Sequence, residues 1–135
     1  MKARCLCGVT QFEVQLRNHE VAACHCSMCR RQTAGPLMSI DVENINFIDQ
    51  QHLSVFSSSE WGERGFCSAC GTFIFWRTKN HSFANINVFT LEQPPEDLNF
   101  NLEIYVDHQP AFYSFNNQTK KMTEAEVVAM FNSNQ

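Results

Sequence analysis

Residues 64–76 read Arg64-Gly65-Phe66-Cys67-Ser68-Ala69-Cys70-Gly71-Thr72-Phe73-Ile74-Phe75-Trp76. A Cys-x-x-Cys turn brings two sulfurs onto one metal ion at about 2.3 Å. The glycine behind its second cysteine permits a left-handed backbone that turns amide N–H groups toward the sulfurs. Residues 72–76 are rich in aromatic and β-branched side chains, as in a strand buried on both faces. A metal knuckle that runs straight into an apolar strand predicts a fold built from short strands.

The rest of the chain repeats that reading. Phe12, Val14 and Leu16 alternate with Gln11, Glu13 and Gln15 over residues 10–16, the period of a half-buried strand. Met38, Ile40 and Val42 repeat it, as do Leu53 with Val55, and Leu102 with Ile104 and Val106. Residues 83–89 resemble 72–76 in composition. Turn chemistry separates the pieces at Gly35-Pro36, Ser57-Ser58-Ser59, Trp61-Gly62, Lys79-Asn80, Pro94-Pro95 and Asn116-Asn117. One helix is signalled near the C-terminus, over about 124–132. Thr123 and Glu126 stand at capping-box spacing, and Asn132-Ser133-Asn134 is expected to end it. A short helical turn is also expected around 27–32. The expectation is a single mainly β domain over residues 1–135, with no repeat and no linker.

The seven cysteines fall into three groups: Cys5 and Cys7; Cys24, Cys26 and Cys29; Cys67 and Cys70. An odd number argues against a disulfide framework. Cysteines serving only as small core residues would be scattered. Cys5 and Cys7 stand two positions apart, so on extended chain both side chains point the same way. With Cys67 and Cys70 they make a four-thiolate set for a structural zinc that ties the N-terminus to mid-chain. Cys24, Cys26 and Cys29 supply three thiolates within six residues. Three protein ligands and an open fourth position form the pattern of a catalytic zinc. Four plus three uses every cysteine. A histidine could instead close the second set, with His19, His25, His52, His81 and His108 as candidates. His25 is disfavoured, since both its neighbours would already be ligands. A redox pair is a further alternative, although no thioredoxin-like βαβ pattern surrounds either Cys-x-x-Cys.

The chain has 135 residues, 44% of them hydrophobic, twelve being phenylalanine. That length buries roughly two-thirds of the unfolded surface, enough for an ordinary core. No apolar run approaches the ~20 residues that span a bilayer. No apolar stretch follows Met1-Lys2-Ala3-Arg4, so a secretory signal is not expected and a cytoplasmic location is. The net charge of −4 weighs against phosphate-driven nucleic-acid binding. Neither nucleic acid nor membrane is an expected partner.

Cys5-Leu6-Cys7-Gly8, then Cys24-His25-Cys26-Ser27-Met28-Cys29-Arg30-Arg31, then Arg64–Thr72 together resemble the family of glutathione-dependent formaldehyde-activating enzymes, which includes centromere protein V. The resemblance covers roughly residues 3–113. It extends through Phe73-Ile74-Phe75-Trp76 and the stretch from Asn87 to Pro94. It implies a β-tent fold of several small antiparallel sheets around two zincs, with Cys5, Cys7, Cys67 and Cys70 as structural ligands. Cys24, Cys26 and Cys29 would hold the zinc at which chemistry occurs. The chain departs from the family's pattern at Glu103-Ile104-Tyr105-Val106, at Pro110-Ala111-Phe112, at Phe89 in place of a glycine, and at Gly35, one place late. The ligands are untouched by these changes, and the pocket is where they fall.

The resemblance implies a carbon–sulfur lyase or thiol-adduct synthase acting on glutathione or a similar small thiol and on formaldehyde or another carbonyl. Thiol bound at the open position would lose its proton and could add to an aldehyde carbon. Arg30 and Arg31 could offset the charge of three thiolates or grip a substrate carboxylate; alternatively they form a solvated pair. Trp61, Trp76, Tyr105 and Tyr113 could line a pocket or simply pack, and Asp107-His108 could relay protons or stand as ordinary surface groups. A non-catalytic module that binds glutathione or a protein, and a purely structural zinc domain, are the competing readings.

Overall fold

The computed structural model describes residues 1–133. The fold is mainly β, with two short α-helices, the second of them C-terminal. Contacts divide the chain into two compact units: Met1–His19 with Ser39–Leu98, and Glu20–Met38 with the chain from Asn99 onward.

In the first unit, β1 (Lys2–Arg4) runs antiparallel to the start of β2 (Gln11–Cys24), with Ala3 opposite Phe12. Five further strands pair antiparallel in the order β4-β5-β6-β7-β3. They are β3 (Leu37–Asp49), β4 (Leu53–Ser57), β5 (Gly62–Cys67), β6 (Phe73–Thr78) and β7 (Ala84–Asn87). One row of side chains crosses them: Ile40 faces Ile86, Ile86 faces Phe75, and Phe75 faces Gly65. Ile40, Ile86 and Phe75 are fully buried. Gly65 is required there, because an added Cβ would lie 2.1 Å from the Phe75 ring. Phe12 and Phe47 extend this aromatic core, with Phe47 also against Phe75.

In the second unit the last residues of β2 pair parallel with β8 (Asn99–Ile104), from Glu20 opposite Asn99 to Cys24 opposite Ile104. β9 (Lys120–Met122) pairs parallel with β8 in turn. Helix α1 (Ser27–Thr33) begins directly after β2 and ends on Ala34 in a left-handed conformation, φ 60°. Helix α2 (Glu124–Ser133) opens on a complete capping box: the Thr123 amide donates to Glu126, and the Glu126 amide donates to the Thr123 hydroxyl. Val127 is its buried anchor. Among the described residues no helix is long and apolar enough to cross a membrane.

Several expectations shift. Residues 83–89 form a strand only over β7 and then a 3-10 turn, Val88–Thr90, in which Phe89 is 78% exposed. The Asn87 carboxamide drives that change by capping the Phe89 amide. Val106 lies not in β8 but in a 3-10 turn, Val106–His108. Val55 is exposed, because β4 ends the strand order of its unit. Gly62 begins a strand rather than closing a turn, where an added Cβ would lie 2.8 Å from the Trp76 indole. The expected stop at Asn132-Ser133-Asn134 comes late, since α2 includes Asn132 and Ser133; Asn134 lies outside the described residues.

Candidate metal centres

All seven cysteines are free thiols, and they gather into two groups. Within each group the sulfurs lie within 4.8 Å of one another: Cys5, Cys7, Cys67 and Cys70 in one, Cys24, Cys26 and Cys29 in the other.

The four-cysteine group joins two knuckles. Gly8 and Gly71, at φ 84° and 82°, occupy the left-handed conformation that glycine adopts without strain. Each closes a turn onto the first cysteine of its knuckle, Gly8 onto the Cys5 carbonyl and Gly71 onto that of Cys67. Thr72 bridges the two, its hydroxyl accepting from the Leu6 amide and lying 3.2 Å from the Cys70 sulfur. That hydroxyl is the main cause of a Cys70 thiol lowered to about 5. Burial raises Cys5, but the Thr10 amide at 3.3 Å and the neighbouring sulfurs bring it below its ordinary value. For Cys7 the Val9 amide pulls down, yet desolvation and the sulfurs of Cys70, Cys5 and Cys67 push it up to about 11. Thiols of this group thus shift in opposite directions, as expected where several would-be anions share one site. A cation at the centre would relieve that repulsion.

The three-cysteine group is wholly buried. The end of β2 delivers Cys24. Cys26 is the N-cap of α1, its sulfur accepting from the Cys29 amide at 3.3 Å, and Cys29 sits in the first turn. Hydrogen bonds to Cys26 and Cys29, then burial, hold the Cys24 thiol far above its ordinary value. Among the described residues no fourth His, Cys, Asp or Glu joins this group. His19 pairs with Asp97, His81 with Glu63 and His108 with Glu124.

His25 turns away from the sulfurs on either side of it. Its ring is fully buried, with Nε2 2.8 Å from Glu103 and Nδ1 2.7 Å from the Tyr113 hydroxyl. Burial pushes the Glu103 carboxyl up, but the Thr119 hydroxyl, the His25 ring and the Lys121 charge outweigh it and hold it below its usual range. The sequence marks Glu103 only as a departure from the family's pattern, and its alternation points to Leu102 and Ile104 as the inward residues. Both are only half-buried, while Glu103 is 1% exposed.

Two other residues bear on the three-cysteine group. Tyr105 follows the Ile104 that faces Cys24, and it holds φ 57°, unusual for a bulky side chain. Burial, and then the charges of Cys24 and Cys26, raise its phenol to about 12, so it stays protonated near neutral pH. Arg30 donates from Nε to the His25 carbonyl at 2.9 Å, which makes it part of the loop's frame, whereas Arg31 is exposed. Trp61 and Trp76 pack edge to face in the first unit. Asp107, His108 and Glu124 form a third, exposed group. Pairing accounts for it: Asp107 caps the Glu124 amide, and His108 meets the Glu124 carboxylate at 2.9 Å.

Both cysteine groups could hold a metal ion, and the four-cysteine group has the spacing of a tetrahedral thiolate site. Four thiolates at about 2.3 Å from one ion stand about 3.8 Å apart, and the sulfurs lie 3.7 Å apart for Cys5–Cys7 and 4.0 Å apart for Cys7–Cys67. Soft sulfur donors in tetrahedral reach favour zinc over magnesium or calcium.

Three comparisons bear on this arrangement. The sequence profile for "Glutathione-dependent formaldehyde-activating enzyme" matches residues 1–108. An uncharacterized lyase of Schizosaccharomyces pombe is 28% identical over 131 residues, covering 94% of this chain and 93% of that protein. The crystal structure of a Rhodobacter sphaeroides protein superposes with a TM-score of 0.61 at 25% identity, over 76% of this chain and 99% of that one.

Proposed function

The chain belongs to the glutathione-dependent formaldehyde-activating enzyme family, and from that membership we propose that it is a zinc-dependent carbon–sulfur lyase that joins a small thiol reversibly to formaldehyde or a similar carbonyl. The family and the lyase relative support a lyase-like enzyme. The observation that carries the finer reading is the buried trio Cys24, Cys26 and Cys29, with no fourth ligating side chain among the described residues.

In the forward direction the thiol sulfur bonds to the carbonyl carbon. The C=O π pair moves to oxygen, which takes the proton the thiol gives up. A zinc ion held by the trio would supply a fourth position at which a thiol would ionise. The residues around it do the rest. The three cysteines are buried, which favours a site poor in competing water. Tyr105 offers a protonated phenol beside them. Exposed Arg31, with the Nη groups of Arg30, supplies cations suited to a substrate carboxylate. On this reading the four-cysteine site is structural and the chain carries two zincs.

Exchange spectroscopy of formaldehyde with glutathione, with and without protein, tests the proposal. Faster exchange that is lost in Cys26→Ser supports it. No acceleration with glutathione or other small thiols overturns it, and thiol binding without exchange would favour a carrier.

A further inference from the structure

His25 stands between two clustered cysteines, yet every polar group it carries is committed elsewhere. Its amide donates to the Ile104 carbonyl at 3.1 Å, and its carbonyl accepts from Arg30. Its ring joins Glu103 to Tyr113. The second Glu103 oxygen accepts from Thr119 and lies 3.6 Å from the Lys121 ammonium. Rings of Tyr113 and Phe115 lie 5.5 Å and 6.0 Å from the imidazole. Burying an imidazole and a carboxylate is costly unless both are satisfied, and an apolar pair of similar volume is often as stable. A fully satisfied polar network buys one fixed geometry instead.

We propose that Glu103, His25 and Tyr113 form a positioning strut for the three-cysteine site. They pin the peptide between Cys24 and Cys26 and keep the imidazole off the vertex that substrate needs. The strut touches neither metal nor substrate. The inference rests on reading that trio as a zinc site. The strut works beside a backbone restraint that Ile104 and Arg30 supply, holding the His25 amide and carbonyl. The strut itself holds the ring at both nitrogens, so the imidazole cannot swing round and become a fourth ligand, and Cys24 and Cys26 are anchored through the residue between them. Outer partners that orient metal ligands directly are worth about 10- to 100-fold in affinity, and the strut acts on Cys24 and Cys26 through the residue between them.

The test is titration of metal-stripped, reduced protein with Co²⁺, comparing wild type with Tyr113→Phe and Glu103→Gln. Tyr113→Phe removes one hydroxyl, and Glu103→Gln keeps the volume. The four-cysteine site serves as the internal control for folding. Wild type is expected to take two ions. In each variant the second ion should bind about 10- to 100-fold more weakly and with an altered absorption spectrum, the first remaining unchanged. Should Glu103→Gln fail to fold, Tyr113→Phe decides alone. A second ion bound with wild-type affinity and spectrum in the variants overturns the strut while leaving the zinc reading intact. Wild type that binds only one ion overturns the zinc reading, and the strut with it.

Discussion

Gly65 and Phe75 show how a single position can be fixed by its neighbour. The ring covers the glycine so closely that an alanine methyl must displace a fully buried aromatic. Gly65→Ala should destabilise the protein by about 1–3 kcal/mol in a urea melt of the zinc-loaded form. Gly35, with open space at its Cβ position, is the matched control and should change little. His108 offers a titration. The Glu124 carboxylate, against some desolvation, raises its pKa, with Asp107 adding to the effect. A raised folded value means that the pair stabilises most below the unfolded value of about 6.5, and that this contribution is lost as pH rises through the folded value. NMR titration of the imidazole should place it above its ordinary value, and Glu124→Gln should bring it down. Glu103 marks a place where sequence logic inverts. Read by period, Leu102, Ile104 and Val106 belong inside; the structure buries the carboxylate between them because His25, Thr119 and Lys121 meet it there. None of those three is near it in sequence, so no local pattern could announce the pairing.

The elements that the sequence made legible are those whose cause is local. The capping box of Thr123 and Glu126 is one. Because both reciprocal bonds form, Thr123→Ala should cost about 1 kcal/mol in denaturant unfolding, with Thr123→Ser close to wild type. The alternation over residues 11–16 and 38–42 is another. Strands whose cause lies in their partners were hidden. β5 reads Gly-Glu-Arg-Gly-Phe-Cys, without alternation, and becomes a strand because β4 and β6 pair with it on either side. β9 is three residues long, two of them lysine, and is defined by its parallel register with β8. Parallel pairing of β2 with β8 joins residues about 80 positions apart, a distance over which periodicity carries no information. The composition of residues 83–89 extends the apolar strand to Phe89, and the Asn87 cap explains why that side chain is exposed instead.

At the scale of the molecule, the two cysteine groups have different consequences. Cys5, Cys7, Cys67 and Cys70 join chain segments some sixty residues apart, so a metal there converts binding energy into folding energy. Cys24, Cys26 and Cys29 lie within one short stretch and add little chain closure. Cys67→Ser should therefore lower the thermal midpoint sharply or prevent folding, whereas Cys24→Ser should leave the β circular-dichroism signal in place. The grouping of the cysteines was readable because metal chemistry writes itself into spacing, and so was the turn of His25 away from them, since it stands between two members of the group; its partners Glu103 and Tyr113, 78 and 88 residues away, were not. The most direct measurement is metal content per chain together with thiol–formaldehyde exchange, in wild type and in Cys24→Ser. The account predicts about two zincs falling to about one, as the two sulfur groups require, with the fold kept and exchange lost. Exchange at the wild-type rate in a folded Cys24→Ser protein that holds a single zinc would contradict it.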